Sequence, residues 1–289
     1  MNASTEKRVA VVTGASAGVG KAAARQLLEK GWRVIGVGRD PERCAKAEAE
    51  LRALSGADFT MIRADFSLLA DVARAANEIA RTTPRVDALL NNAGGVCAER
   101  VITPEGHEAT FAGNHLAHFL LTRKLMPLLK AAAAQSAPGA VRVVAVSSTG
   151  HEHCPAIKWH DLTFSEGFVG GSAYCHAKLA NVLFARELAR RVADYGIISH
   201  AMHPGVVDSN FANHCDAPMK AYMESIRDRA STPEEAADTL VWLASAEEPG
   251  QSSGLYFHRR EALSPSQTAQ DDDTARRLWE VSEELVAGY

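Results

Sequence analysis

The stretch that most limits the fold runs from Val9 to Lys30. A short apolar, β-branched run, Val9 to Thr13, passes directly into Gly14-Ala15-Ser16-Ala17-Gly18-Val19-Gly20, and a helical run follows from Lys21 to Lys30. Strand, glycine turn and helix in this order are the context a dinucleotide-binding turn requires. The glycines let the backbone turn sharply and approach a pyrophosphate, and the helix N-terminus offers free N–H groups to the anion. The spacing is G-x-x-x-G-x-G rather than the commoner G-x-G-x-x-G. A tight glycine turn that holds no ligand is the alternative.

Strand-like and helix-like runs then alternate, which is the pattern of a parallel sheet covered by helices. Arg33 to Val37 reads as the second strand and ends in Gly38-Arg39. An acid at that strand end would bind the ribose 2′-hydroxyl of NAD, whereas a small residue followed by a guanidinium suits a 2′-phosphate. Asp40 is placed to cap a helix beginning at Pro41. The pattern predicts helices over 41–54 and 68–81 and strands over 59–64 and 86–90. Asp65, at the carboxyl end of the third strand, is positioned to accept from an adenine amine or to cap the next helix; taken alone, capping is favoured. The fourth strand ends in Asn91-Asn92-Ala93-Gly94-Gly95. Residues 103–130 read as helical in two pieces, with Pro127 ending or kinking the run. Asn114 lies inside it, and an asparagine within a helix invites a reason.

A fifth strand, Val141 to Val146, ends in Ser147-Ser148. Residues 149–171 carry no clear period. They hold His151, Glu152, His153, Cys154 and His160, but no standard metal-ligand spacing, so a substrate loop is expected and no metal. Ser172 to Ala193 reads as one helix carrying Tyr174 and Lys178. Four residues apart on a helix means one face, where an ammonium favours phenolate and lowers the tyrosine pKa. A tyrosine tuned that way gives or takes a proton near neutral pH. Ile197 to Met202 forms a sixth strand, closed by His203-Pro204-Gly205. Thr232-Pro233-Glu234-Glu235 is a strong helix start. Ser253 to Phe257 is a candidate seventh strand, and Ala275 to Val286 a terminal amphipathic helix.

Composition narrows the function. A net charge of -4 gives no support to nucleic-acid or membrane-surface binding. No apolar run approaches the roughly 20 residues of a membrane span, and the first residues move directly into a strand with no signal peptide. Five scattered cysteines without C-x-x-C point to reduced thiols and a cytoplasmic location.

The chain resembles the short-chain dehydrogenases/reductases over nearly its whole length. The resemblance rests on Thr13 to Gly20, Asn91 to Gly94, Asn114, Val146-Ser147-Ser148, Tyr174 to Lys178 and His203-Pro204-Gly205. Gly38-Arg39-Asp40, Asn114-His115-Leu116-Ala117-His118-Phe119, Ser253 to Phe257 and Arg276-Arg277-Leu278-Trp279-Glu280 are similar to the retinol-dehydrogenase and WW-domain-oxidoreductase branch, without that branch's N-terminal membrane anchor or WW domains.

The resemblance implies an α/β fold: a single doubly wound Rossmann-type domain over residues 1–289, with a parallel sheet of about seven strands and helices on both faces. A cofactor half spans about 8–135, and a catalytic and substrate half about 140–289. Tyr174 is then the general acid/base, Lys178 lowers its pKa and holds the nicotinamide ribose, Ser148 steadies the carbonyl oxygen, and Asn114 supports a water linked to Lys178. Gly14, Ser16, Ala17, Gly18, Val19 and Gly20 line the pyrophosphate, Arg39 meets the 2′-phosphate, and Asp65 with Phe66 the adenine. Asn92, Ala93 and Gly94 line the adenosine side; Pro204, Gly205, Val207 and Ser209 flank the nicotinamide.

The expected activity is NADP(H)-dependent hydride transfer between nicotinamide and a carbonyl or alcohol. A C=C reductase of the same family and a catalytically silent NADP-binding regulator are the alternatives. A homo-oligomer is left open. The loops 149–171 and 206–222, with Ile157, Trp159, Phe168, Phe211, Met219 and Tyr222, suit a fairly large apolar aldehyde or ketone.

Overall fold

The computed structural model describes residues 7–208, 211 and 215–289. Its strands are β1 (Val9–Thr13), β2 (Arg33–Gly38), β3 (Asp58–Arg63), β4 (Ala88–Asn91), β5 (Val141–Val146), β6 (Ile197–Met202), β7 (Tyr256–His258) and β8 (Glu261–Leu263). They form one sheet in the order β3-β2-β1-β4-β5-β6-β7-β8. Pairing is parallel through β7, and β8 returns antiparallel along the edge.

β8 is the strand beyond the seven expected. Its three residues are all exposed, so no apolar pattern announces it. Arg259 and Arg260 make the turn before it with φ of 47° and 65°, where a sequence signal would be glycine or asparagine.

Every residue of β1 is buried, and neighbours alternate between two cores. Val9 and Val11 face one core, Ala10 and Val12 the other. That is the period-two geometry of a strand covered on both faces. The first core is closed by α3 (Leu69–Thr82), α5 (Ala117–Ala133), α6 (Gly170–Arg191) and α9 (Asp272–Leu285). The second is closed by α1 (Gly18–Glu29), α2 (Pro41–Arg52) and α8 (Pro233–Ser245). Trp279 of α9 stacks on Phe184 of α6 with ring centres 5.9 Å apart.

The 103–130 helix differs from expectation. Gly106 takes φ +87°, and an isolated bridge joins Ile102 to Glu108, so residues 102–108 form a turn. Helix begins with one turn, α4 (Ala109–Phe111), under the Glu108 carboxylate, which accepts from the Thr110 and Phe111 amides. A π-turn over Ala112–Leu116 follows, and α5 then runs past Pro127 to Ala133. Pro127 does not end the helix; it and Arg123, the residue whose carbonyl a proline leaves without an intrahelical partner, both lie on the exposed side.

β2 and β4 flank β1, so the chain builds outward first on one side and then on the other. The carboxyl ends of β1 and β4 therefore border the crevice at which open α/β sheets bind ligands.

Candidate active site

The three glycines of the first turn answer two different demands. Gly14 and Gly18 have φ of +72° and +53°, which side chains with a Cβ rarely adopt. A Cβ at Gly20 would run into the Gly14 carbonyl oxygen. Ala17 begins α1 with no side-chain cap, and the first turn holds no acid. Its leading N–H groups are free for an anion, as a dinucleotide pyrophosphate demands.

At the end of β2, a Cβ on Gly38 would approach Cys44 Sγ at 2.7 Å and Ser16 Cβ at 3.0 Å, so this glycine is required by packing. Arg39 beside it is exposed. Asp40 caps α2, accepting from the Arg43 amide at 2.8 Å. Gly38 lies in register with Arg63 of β3, a second exposed guanidinium at this edge that strand-by-strand reading missed.

Asp65 does not cap α3. Its Oδ1 accepts from the Ser67 amide (2.9 Å) and hydroxyl (2.8 Å). The cap comes from far along the chain: the Glu105 carboxylate accepts from the Leu69 and Ala70 amides at 2.6 and 2.9 Å. A carboxylate there also complements the positive end of the helix. Phe66 is buried against His118, with ring centres 5.3 Å apart.

Thr13 organises the β4 end. Its Oγ1 accepts from the Asn92 and Ala93 amides at 2.9 and 2.8 Å, and Asn92 Nδ2 donates to the Thr13 carbonyl at 2.8 Å. The Asn92 amide therefore braces the glycine turn. Gly94 is confined by two groups: a Cβ there would meet Asn114 Oδ1 and come within 3.3 Å of Lys178 Nζ.

Asn114 sits in the π-turn, a frequent mark of functional sites. Its Nδ2 donates to the Gly95 and Thr110 carbonyls at 2.8 and 2.7 Å, and its Oδ1 accepts from the Gly95 amide at 3.3 Å. The next residue, His115, places Nε2 2.8 Å from Ser282 Oγ of α9.

The β5 end carries the serines. Ser147 is buried and donates to the Lys178 carbonyl at 2.7 Å, a structural role. Ser148 accepts from the Gly150 amide at 3.1 Å and shares a hydrogen bond with Tyr174. Lys178 is buried; its Nζ donates to the Val146 carbonyl at 3.2 Å and lies 5.3 Å from the centre of the Tyr174 ring. Tyr174 and Lys178 thus share one helix face.

The expected depression of the tyrosine pKa is not what this geometry gives. Burial pushes the phenol above its ordinary value, and the Ser148 hydrogen bond opposes the rise. The lysine moves instead, pulled down to about 8 by burial. Desolvation of both charged forms outweighs their attraction across this distance.

Beyond β6, Gly205 takes φ +83° and donates to His203 Nδ1 at 3.2 Å. His203 stacks on His258 with ring centres 3.9 Å apart. Pro204 precedes this turn, and Val207 forms an isolated bridge with Ser231. Ser209 lies outside the described residues.

The loop residues divide. Phe211 leans on the Tyr174 ring at 5.1 Å, and Tyr222 is exposed on α7 (Ala217–Ser225). Ile157, by contrast, is buried in the core, Trp159 packs against that core beneath Arg277, and Phe168 meets Phe164 edge-on. The three apolar residues of the first loop expected to line a substrate therefore anchor that loop instead. His151 belongs to the same anchoring: Nδ1 donates to the Ser148 carbonyl at 2.7 Å, and Nε2 accepts from the Ser266 amide at 3.2 Å. Asp216 was also missed. It accepts from Gly171 at the start of α6 (3.1 Å) and from Met219 in α7 (2.9 Å), joining the two helices.

Among the described residues no helix is long and apolar enough to cross a membrane, and all five cysteines are free.

The model of the short chain dehydrogenase family matches residues 8–220. Human retinol dehydrogenase 12 is 38% identical over 280 residues, and human retinol dehydrogenase 14 is 36% identical over 300. Each alignment covers 96% of this chain and 86% of the relative. Among solved structures, an uncharacterised protein from Mycobacterium paratuberculosis has a TM-score of 0.75 at 29% identity, covering 97% of this chain and 93% of its own. The active-site complex of Pseudomonas aeruginosa RhlG with NADP has a TM-score of 0.70 at 29% identity, covering 88% and 95%. With a serine, tyrosine and lysine gathered beside a glycine turn, and with likeness of this extent, the chain belongs to the short-chain dehydrogenases, in their retinol-dehydrogenase-like branch.

Proposed function

We propose that this protein is an NADP(H)-dependent oxidoreductase that interconverts a fairly large, apolar aldehyde or ketone and its alcohol. The observation that carries this reading is the Tyr174 phenol, hydrogen-bonded with Ser148 and with its ring centre 5.3 Å from the Lys178 ammonium, at the sheet end where α1 starts uncapped. The relative solved with NADP supports the cofactor class.

The residues present fit a dinucleotide. The turn from Gly14 to Gly20 and the open amides of α1 would hold the pyrophosphate, Arg39 the 2′-phosphate, and Asp65 with Phe66 the adenine. Asn92, Ala93 and Gly94 would border the adenosine, and Pro204, Gly205, Val207 and Ser209 the nicotinamide. When bound, the nicotinamide supplies or accepts the hydride.

The chain's own groups handle the proton and the oxygen. Ser148 holds the substrate oxygen, and Tyr174 Oη passes its proton to that oxygen in reduction or takes it back in oxidation. The Lys178 charge favours the phenolate left behind. Asn114 fixes the Gly94–Gly95 turn beside Lys178. Phe211 and α7 give the oxygen-binding end an apolar border. The free cysteines support a reducing compartment such as the cytoplasm.

The test is NADPH oxidation against a panel of aldehydes, ketones and quinones of graded size. Turnover best with large neutral carbonyls supports the reading; best turnover with small charged substrates, or no turnover with any, overturns it.

A further inference from the structure

His118 is fully buried, four residues beyond Asn114. Its Nδ1 lies 2.9 Å from the Asn114 carbonyl oxygen, and its Nε2 lies 3.0 Å from Thr13 Oγ1. These two contacts fix the tautomer. A carbonyl only accepts, so Nδ1 carries the proton, and a neutral ring then leaves Nε2 as an acceptor. The Thr13 hydroxyl completes the pattern. Its oxygen already accepts from the Asn92 and Ala93 amides, so both lone pairs are used and its one proton is left for Nε2, with the Leu90 carbonyl at 3.2 Å as a weaker second acceptor. The opposite tautomer would set the Nδ1 lone pair against the Asn114 carbonyl oxygen and point an Nε2–H at a Thr13 oxygen whose lone pairs are already taken. Burial and the Lys178 charge keep the ring neutral, pulling its pKa down to about 3.

We propose that His118 is a positioning residue that ties the catalytic π-turn to the cofactor side of the sheet. Through Nδ1 it holds the Asn114 carbonyl; through Nε2 it orients the hydroxyl that carries the β4-end amides. Thr13, Asn92, Ala93 and Asn114 then move as one body, so the glycine turn and the tetrad of Asn114, Ser148, Tyr174 and Lys178 keep their register. The proposal rests on the oxidoreductase reading for its effect on turnover, but not for its effect on cofactor binding or tautomer.

The experiment combines ¹⁵N spectroscopy of the wild-type imidazoles with four variants: His118→Phe, His118→Gln, Thr13→Val and the Thr13→Val/His118→Phe double variant. NADPH affinity by fluorescence titration is measured alongside kcat and KM. The wild-type His118 signal should be that of a neutral Nδ1–H ring from pH 5 to 9, and Thr13→Val should shift Nε2. His118→Phe keeps the ring volume against Phe66 and loses both hydrogen bonds. It should weaken NADPH binding several-fold and lower kcat about tenfold, the scale of one or two such bonds, with substrate KM little changed. The glutamine amide offers a donor and an acceptor and should restore most of both. The double variant should be no worse than the poorer single one, because both cut the same link.

An Nε2–H or charged ring overturns the proposal, even if His118→Phe fails to fold. So does a folded His118→Phe with wild-type affinity and kcat, or single effects that multiply in the double variant. If no substrate is turned over, the tautomer and NADPH affinity still decide the link, and it is the oxidoreductase reading that has failed.

Discussion

The Lys178 ammonium lies 5.3 Å from the centre of the Tyr174 ring and donates to the Val146 carbonyl at 3.2 Å. The same carbonyl accepts from Asn181 Nδ2 at 3.1 Å. A buried cation held by backbone and facing a phenol is poised to stabilise negative charge as it forms, at a cost to the resting fold.

That cost gives the first prediction. In the unfolded chain Lys178 keeps its proton up to about pH 10.4; in the fold it loses it near pH 8. Between these values the unfolded state binds more protons, so stability rises with pH across that window, and below it the full penalty of about 3 kcal/mol applies. Lys178→Met removes the charge while Asn181 still serves the Val146 carbonyl. Its Tm should exceed that of the wild type by about 5 °C at pH 7 for a chain of this size, and the gap should close toward pH 10. Melting curves at both pH values check this; an equal gap at both would sink it.

Tyr174→Phe should remove turnover while leaving NADPH affinity nearly unchanged, since only the proton donor is lost. Proton-transfer catalysis is worth about 10²–10⁴-fold. Steady-state kinetics with a matched fluorescence titration decide the point, and a variant with more than about a tenth of wild-type kcat would show that another group is the acid.

Arg39 should favour NADPH over NADH, and Arg39→Ala should cut that preference about ten- to hundredfold, the worth of a charge-assisted bond to phosphate. The measurement is kcat/KM for both cofactors in each protein. Equal use of both by the wild type would remove the 2′-phosphate role. A preference that survives Arg39→Ala but falls in Arg63→Ala would move it to the neighbouring strand.

Phe211 should help set substrate size. Phe211→Ala should change the ratio of kcat/KM for a bulky against a small aldehyde by about tenfold, with NADPH binding unchanged. An unaltered ranking combined with weaker cofactor binding would assign Phe211 to the cofactor site instead.

Much of this site is written in short motifs because each meets a local backbone demand. Gly14 and Gly18 need positive φ, Asp40 caps the helix that starts one residue later, and Tyr174 and Lys178 need only one helix face. What escaped notice depends on pairs far apart in sequence. Glu105 caps a helix that begins 36 residues before it, and His118 reaches back 105 residues to Thr13. No window of periodicity contains both partners. The π-turn was half visible: Asn114 stood out as an unfavourable helix residue, but the one-residue widening around it has no sequence signature. Lys178 shows the same limit in electrostatics. Proximity to Tyr174 was legible, whereas the burial that governs both pKa values is a property of the assembled core.

The contact between His115 and Ser282 has a consequence for synthesis. During translation the chain emerges N-terminus first, so β1 to β4 and their helices are made well before α9 exists. The glycine turn and the Thr13 bracing belong to that early part. The π-turn is made early too, but its seat against α9 comes from a serine seven residues before Tyr289. A nascent chain can therefore hold the elements for nucleotide binding before it holds a finished catalytic centre, and turnover reports that the last helix has docked.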